Sequence, residues 1–278
     1  MHRLLYLFAR PALTIALLTT LSFTILLPLQ AQCPATPNIF QATLMEQNQP
    51  GTEISTGQLQ QILASGSMSV FDVRFPLEYA ISHIPGTVNI PPDNNASATR
   101  EVNQIMALYP DPHTQFVLTC NGPFCGKSKR VAAGLMAAGY DNFFRYQLGL
   151  PVWRALGNIV QTDLHGFAYI YNRDQSAVFV DARAPGAFLD NTVACAVNVQ
   201  PGEATAANDD GRLPLWDKGA RVVVFAEDPQ LAKTVASEIA LKAYWSSSYF
   251  GGTFKDLENS RLLHIHGKRK CSKQTNDD

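Results

Sequence analysis

The run "VFDVRFPLEYAISHIPGTVNIPP" (Val70–Pro92) returns later in the chain as "FVDARAPGAFLDNTVACAVNVQP" (Phe179–Pro201). Asp72, Arg74, Pro76, Tyr79, Val88 and Asn89 meet Asp181, Arg183, Pro185, Phe188, Val197 and Asn198, all at one constant offset. Matches held in register over this length read as a duplication. The long period excludes a solenoid and favours two globular units.

Each copy alternates short apolar runs with helical stripes, the pattern of a parallel α/β sheet flanked by helices. In the first unit the predicted strands are "SVFDV", "TVNI", "QFVLT" and "NFFRY". Leu59, Ile62 and Leu63 mark one helix, Val102, Ile105 and Tyr109 a second, and Val131, Leu135 and Ala138 a third. The second unit repeats the scheme with "AVFVDA", "AVNV", "RVVVFA" and a helix through "LAKTVASEIALKAY". The expected domains are residues 52–160 and 161–260, with the boundary inside "ALGNIVQTDLHG".

The 278 residues leave room for two such domains. An apolar content of 46% with 16% charged residues describes a folded chain, and a net charge of −1 gives no general case for a nucleic-acid partner. Arg3 and Arg10 precede the uncharged run "PALTIALLTTLSFTILLPLQA", which ends at Ala31. That order reads as a secretory signal over residues 1–31, followed by an extension over 32–51, and places the protein in the periplasm or outside the cell. The alternative is an uncleaved anchor, which would be the chain's one tie to a membrane. Cys33 resembles a lipoprotein cysteine, but Gln32 stands where that signal needs a small residue. Residues 261–278 form a basic tail, read as solvated. Its His264 and His266 have no further ligands nearby in sequence, so neither a metal nor an organic cofactor is expected.

Five scattered cysteines do not make a disulfide scaffold. Two of them crowd into "TCNGPFCGKSKRVAAGLMAAGY" (Thr119–Tyr140). Here "QFVLT" delivers Cys120 to the carboxyl end of a strand, where α/β sheets carry out their chemistry. Gly122 and Gly126 let the backbone curl so that amides face one atom, and a helix starting near Ser128 adds its positive end. The anion such a loop favours is a thiolate, with Lys127 as a nearby cation. Leaving a thiol ionised at neutrality takes roughly 2–3 kcal/mol of preferential stabilisation.

The chain resembles the rhodanese family in its tandem-domain form. The resemblance rests on Asp72-Val73-Arg74, Glu78-Tyr79, His83-Ile84-Pro85-Gly86 and Asn89-Ile90-Pro91. Ser128, Ala132, Leu135, Gly139 and Tyr140 continue it after the loop, and Gly149 and Trp153 close it. It covers Ile54 to about Ile159, and more weakly Gly166 to about Leu257. It implies a sulfurtransferase in which Cys120 takes a sulfane sulfur as a persulfide from a small donor and passes it to cyanide, a thiol or a protein acceptor. Gly122, Gly126, Lys127 and Ser128 would bind the substrate.

The loop departs from the family pattern. Cys120 to Ser128 is two residues longer than usual, and Lys127 takes the place of an arginine, so no bidentate fork meets an oxyanion. "CGKSKR" offers cysteine–four–arginine spacing from Cys125, but it shifts the helix pattern out of register, which favours Cys120. Three readings of Cys125 stand: a resolving thiol, a loop disulfide that silences the site, or a packed residue. With both cysteines in play, a thiol–disulfide redox protein and a non-catalytic binding module remain the alternatives. In the second unit Ala226 falls at the Cys120 position, followed by Glu227 and Asp228, so that unit has no nucleophile and is expected to pack against the first. Asp72 and Arg74 persist in both copies and read as a structural brace. Glu78 and His83 lack counterparts and are candidates to support the site. Cys195 and Trp153 are expected in the core.

Overall fold

The computed structural model describes residues 38–94 and 96–261. The run read as a secretory signal, Cys33, the two tail histidines and Cys271 therefore lie outside the described residues. Helix α1 (Ile39–Leu44) precedes the first half, which runs β1 (Thr52–Glu53), α2 (Thr56–Ser65), β2 (Ser69–Asp72), α3 (Pro76–Ile81) and β3 (Val88–Asn89). It continues through α4 (Thr99–Leu108), β4 (Phe116–Thr119), α5 (Gly126–Ala137), β5 (Phe144–Tyr146) and α6 (Gly149–Ala155). The second half runs β6 (Val160–Thr162), α7 (Leu164–Arg173), β7 (Val178–Asp181), α8 (Pro185–Asp190) and β8 (Val197–Asn198). Then come α9 (Ala204–Asp209), β9 (Val222–Phe225), α10 (Pro229–Ala240), β10 (Ser247–Phe250) and α11 (Phe254–Asn259).

Each half is a five-stranded parallel sheet flanked by helices. The orders are β1-β5-β4-β2-β3 and β6-β10-β9-β7-β8, the same topology twice. The central strands "FVLT" and "VVVF" are buried along their whole length, as strands covered on both faces must be. Val131, Leu135 and Ile105 pack on one face of the first sheet and Leu59, Ile84 and Trp153 on the other.

The duplicated stretch repeats in atomic detail. Asn89 Nδ2 donates to the carbonyls of Asp72 and Arg74, both at 2.9 Å. Asn198 Nδ2 does the same to Asp181 and Arg183, both at 2.8 Å. Pro76 and Pro185 each open a helix at a position that has no amide to satisfy. Gly86 turns with φ 88°, and Cys195 holds φ 64° at the matching place. Cys195 is not the packed thiol that the sequence implied. It is half-buried and disulfide-bonded.

Both sheets fall within one compact unit. His83 and Gln161 exchange backbone hydrogen bonds of 2.9 Å each way, and Thr162 Oγ1 donates to Ile81 O at 2.9 Å. Helix α7 lies so close to α3 that a Cβ on Gly166 would stand 1.9 Å from the Ala80 carbonyl oxygen. Val160 packs with the first half's core and Ile81 with the second's.

Three strands escaped the sequence pattern. β1 has only two residues, β6 lies in the expected boundary, and β10 is rich in serine. The β10 hydroxyls are satisfied internally: Ser247 Oγ donates to Ala236 O at 3.0 Å, and Ser248 Oγ lies 2.9 Å from Thr162 Oγ1. Helix α5 also starts at Gly126, two residues before the expected Ser128.

Candidate active site

Strand β4 ends at Thr119, so Cys120 stands at the carboxyl end of the sheet's central strand. Two neighbouring loops meet there. Leu150 N–H donates to Cys120 O at 3.4 Å, and Gly122 (φ 110°) faces Gly149 (φ 64°) backbone to backbone. A Cβ on Gly149 would lie 2.3 Å from Gly122 N and 2.6 Å from Cys120 O. Only glycine allows this approach.

The residue after Cys120 is tied down from two sides. Arg74 Nη1 donates to Asn121 Oδ1 at 3.3 Å, and Asn121 Nδ2 donates to Glu78 Oε1 at 2.7 Å. Glu78 Oε2 accepts from Phe75 N at 3.0 Å, and Arg74 is itself locked on Asp72 through Nε at 2.8 Å and on Ser82 O through Nη2 at 2.8 Å. Asp72 and Arg74 therefore brace the chain, as their persistence in both copies implied, and the same arginine also reaches the loop. Glu78 holds the side chain of Asn121, the residue next to Cys120. The sequence reading passed over Asn121. The repeat held a signal for it, because Glu227 occupies its place and pairs with Arg183 at 3.5 Å.

Cys120 and Cys125 are joined in a disulfide, with Cα atoms 6.4 Å apart. Cys120 is only 3% exposed, against Val131, Leu118 and other apolar side chains, while Cys125 is half-buried. This differs from the expected thiolate ringed by amides. In this state Cys120 carries no charge, and the Cys125 amide donates to Gly122 O at 2.9 Å, closing a turn. The helix end also falls elsewhere than expected: Cys125 is the N-cap residue of the twelve-residue α5. Between the cysteines, Phe124 stands fully in solvent.

The remaining predicted site residues divide. Ser128 is buried in the first turn of α5, and Gly126 lies beside the Arg130 guanidinium. Lys127 Nζ sits 3.6 Å over the Phe75 ring, a cation–π contact. Burial lowers its pKa against the opposing pull of Glu78 and Glu101. His83 belongs to the junction between the halves: its ring stacks on Tyr79 at 3.9 Å, and its Nδ1 lies 3.0 Å from Tyr79 O. Burial lowers its pKa, partly offset by Asp163. Trp153 is in the core, as expected, with Nε1 donating to Ile159 O at 2.9 Å. In the second half Asp228 caps α10, accepting from Gln230 N and Leu231 N at 2.9 and 3.0 Å. No group of residues that could hold a metal occurs among the described residues.

A parallel α/β sheet with a cysteine at the end of its central strand defines the class of fold. The Rhodanese-like domain family model matches residues 55–156, which carry β2, β4, the cysteine loop and α5. No curated protein matches the chain. Among solved structures, the Rhodanese-like domain of the Alr3790 protein from Anabaena is 19% identical, with a TM-score of 0.33, over 41% of this chain and 79% of that one. A human single-domain sulfurtransferase is 29% identical, with a TM-score of 0.29, over 37% and 94%. Thiosulfate sulfurtransferase from Pseudomonas aeruginosa is 16% identical, with a TM-score of 0.32, over 81% and 47%.

Proposed function

We propose that the first half is a sulfurtransferase in which reduced Cys120 is the sulfur carrier. The Cys120 thiolate attacks the sulfane sulfur of a small donor. With thiosulfate, the S–S bond breaks, sulfite leaves with the electron pair, and Cys120 is left as a persulfide. A thiol, cyanide or protein acceptor then takes the outer sulfur. The observation that carries this reading is the position of Cys120. It directly follows the central strand of a domain matched as Rhodanese-like, and the next residue is pinned by Arg74 and Glu78. The second half has Ala226 at the matching place and serves as a packing partner.

Action outside the cytoplasm belongs to the same reading. It is supported by the basic-then-apolar start of the sequence and by the disulfides of Cys120, Cys125 and Cys195. The disulfide across the loop favours a second reading, a thiol–disulfide redox protein using the same pair. Mass measurement after reduced protein meets thiosulfate or glutathione persulfide separates the two. One sulfur added at Cys120, absent from Cys120→Ser, supports transfer. Disulfide formation in wild type, with no sulfur retained by Cys125→Ser, overturns it.

A further inference from the structure

The two cysteines of the loop are unequal, and the inequality assigns them different steps. Cys120 lies beneath the loop, 3% exposed, while Cys125 is half-buried at the start of a twelve-residue helix. Their sulfurs are within bonding reach, since they are bonded. A helix N-cap is a place where a thiolate is tolerated, which suits Cys125 to attack a sulfur held on Cys120.

We propose that the protein reduces its own persulfide and releases the sulfur as sulfide, with Cys125 as the internal acceptor. This rests on the persulfide reading above. The Cys125 thiolate attacks the inner sulfur, Sγ of Cys120. The Cys120–Cys125 bond forms, the bond to the outer sulfur breaks, and that sulfur leaves with the electron pair as HS⁻. The outer sulfur is reduced by two electrons, and the two cysteine sulfurs together supply them. The disulfide seen here is the product of that step. Cys125 is the more accessible residue of the pair, so a reducing dithiol attacks there and Cys120 leaves as the thiolate, ready for the next donor. The second thiol of the reductant then frees Cys125. The partner is thus a dithiol of the thioredoxin chemical type, and the net reaction is donor plus dithiol giving sulfide, sulfite and the partner's disulfide.

The experiment uses the full chain, reduced, freed of reductant without oxygen, and mixed with thiosulfate or with glutathione persulfide and no other thiol. Wild type is expected to release one sulfide per chain, beyond any background, and to finish lighter by two hydrogens. Cys125→Ser is expected to lose that sulfide and keep the added sulfur. Serine is a favoured N-cap, so this variant retains the start of α5. Dithiothreitol should then drive repeated sulfide release from wild type only. A stable persulfide on wild type, or a persulfide moved onto Cys125 with no sulfide released, overturns this proposal and leaves sulfur transfer standing. Sulfur uptake from neither donor, in wild type and in Cys125→Ser alike, overturns both.

Discussion

Arg74 Nη1 stands 3.3 Å from Asn121 Oδ1, and its counterpart Arg183 Nη1 stands 3.5 Å from Glu227 Oε1. One arginine thus reaches the same loop position in both halves. It meets a neutral amide beside a cysteine in one, and a carboxylate beside an alanine in the other. The charge of that neighbour bears directly on whether a thiolate can exist next to it.

Asn121→Glu should therefore preserve the Arg74 contact while placing a carboxylate beside Cys120 and against Glu78, which now accepts from Asn121 Nδ2 at 2.7 Å. A like charge disfavours the Cys120 thiolate. Sulfur uptake by the reduced protein is expected to slow about tenfold, which corresponds to ~1.4 kcal/mol. Stopped-flow detection of sulfite release measures the rate. Asn121→Gln, which keeps the amide, should lose much less.

Arg74→Ala tests the brace itself. Arg74 and Asp72 are both 2% exposed, and the change leaves the Asp72 carboxylate buried without its partner. Breaking a buried pair from one side costs about 3–5 kcal/mol. Arg183→Ala is the matched experiment, since Arg183 holds Asp181 at 2.7 Å. Urea titration should show a comparable loss for each. Only the first should also disturb the cysteine loop, read as a changed rate of Cys120–Cys125 closure.

What the sequence disclosed, and what it hid, follows from how far each interaction reaches along the chain. The repeat and the buried strands were legible because Asp72, Arg74 and Asn89 form their contacts within about one supersecondary unit. Cys120 was legible for the same reason, lying directly after "FVLT". The pairing of β1 with β5 depends on a partner distant in the chain and on a two-residue strand, too short to show alternation. The serines of β10 read as loop because their burial depends on Thr162, Ala236 and Val222. Lys127 reads from spacing as a substrate-binding cation, yet its ammonium goes to Phe75, an orientation that spacing cannot fix. The pairing of His83 with Gln161 joins residues far apart in the chain, and no local pattern announces it.

Glu53 should give the stability of the protein a recognisable pH dependence. Burial pushes its carboxyl up from 4.5 to about 6, against the pull of Arg145, whose Nη1 lies 2.8 Å from Glu53 Oε1. Between those two pH values the folded state holds a proton that the unfolded state has lost. Stability from this group is therefore full below pH 4.5 and falls as pH rises through about 6. The difference amounts to about 2 kcal/mol. Urea titrations of wild type and Glu53→Gln across that window should diverge by this amount, the wild type losing stability relative to the variant as pH rises. A constant difference would show that Glu53 does not titrate there.

The facing glycines offer the most direct control on loop geometry. A methyl at Gly149 would fall 2.3 Å from Gly122 N and 2.6 Å from Cys120 O, on a backbone with φ 64° that favours glycine. Gly149→Ala must push the loop between β5 and α6 away from the cysteine loop or strain its own backbone. A cost of about 1–3 kcal/mol is expected. Gly157→Ala is the control: it also has a positive φ, 79°, but nothing lies within 4 Å of its Cβ position. That variant should show the conformational penalty, about 1 kcal/mol, and no effect on the site. If Cys120 works where the contact with Gly149 holds it, Gly149→Ala should slow both sulfur uptake and disulfide closure. Equal rates in the two variants would mean that the approach of these loops matters to folding alone.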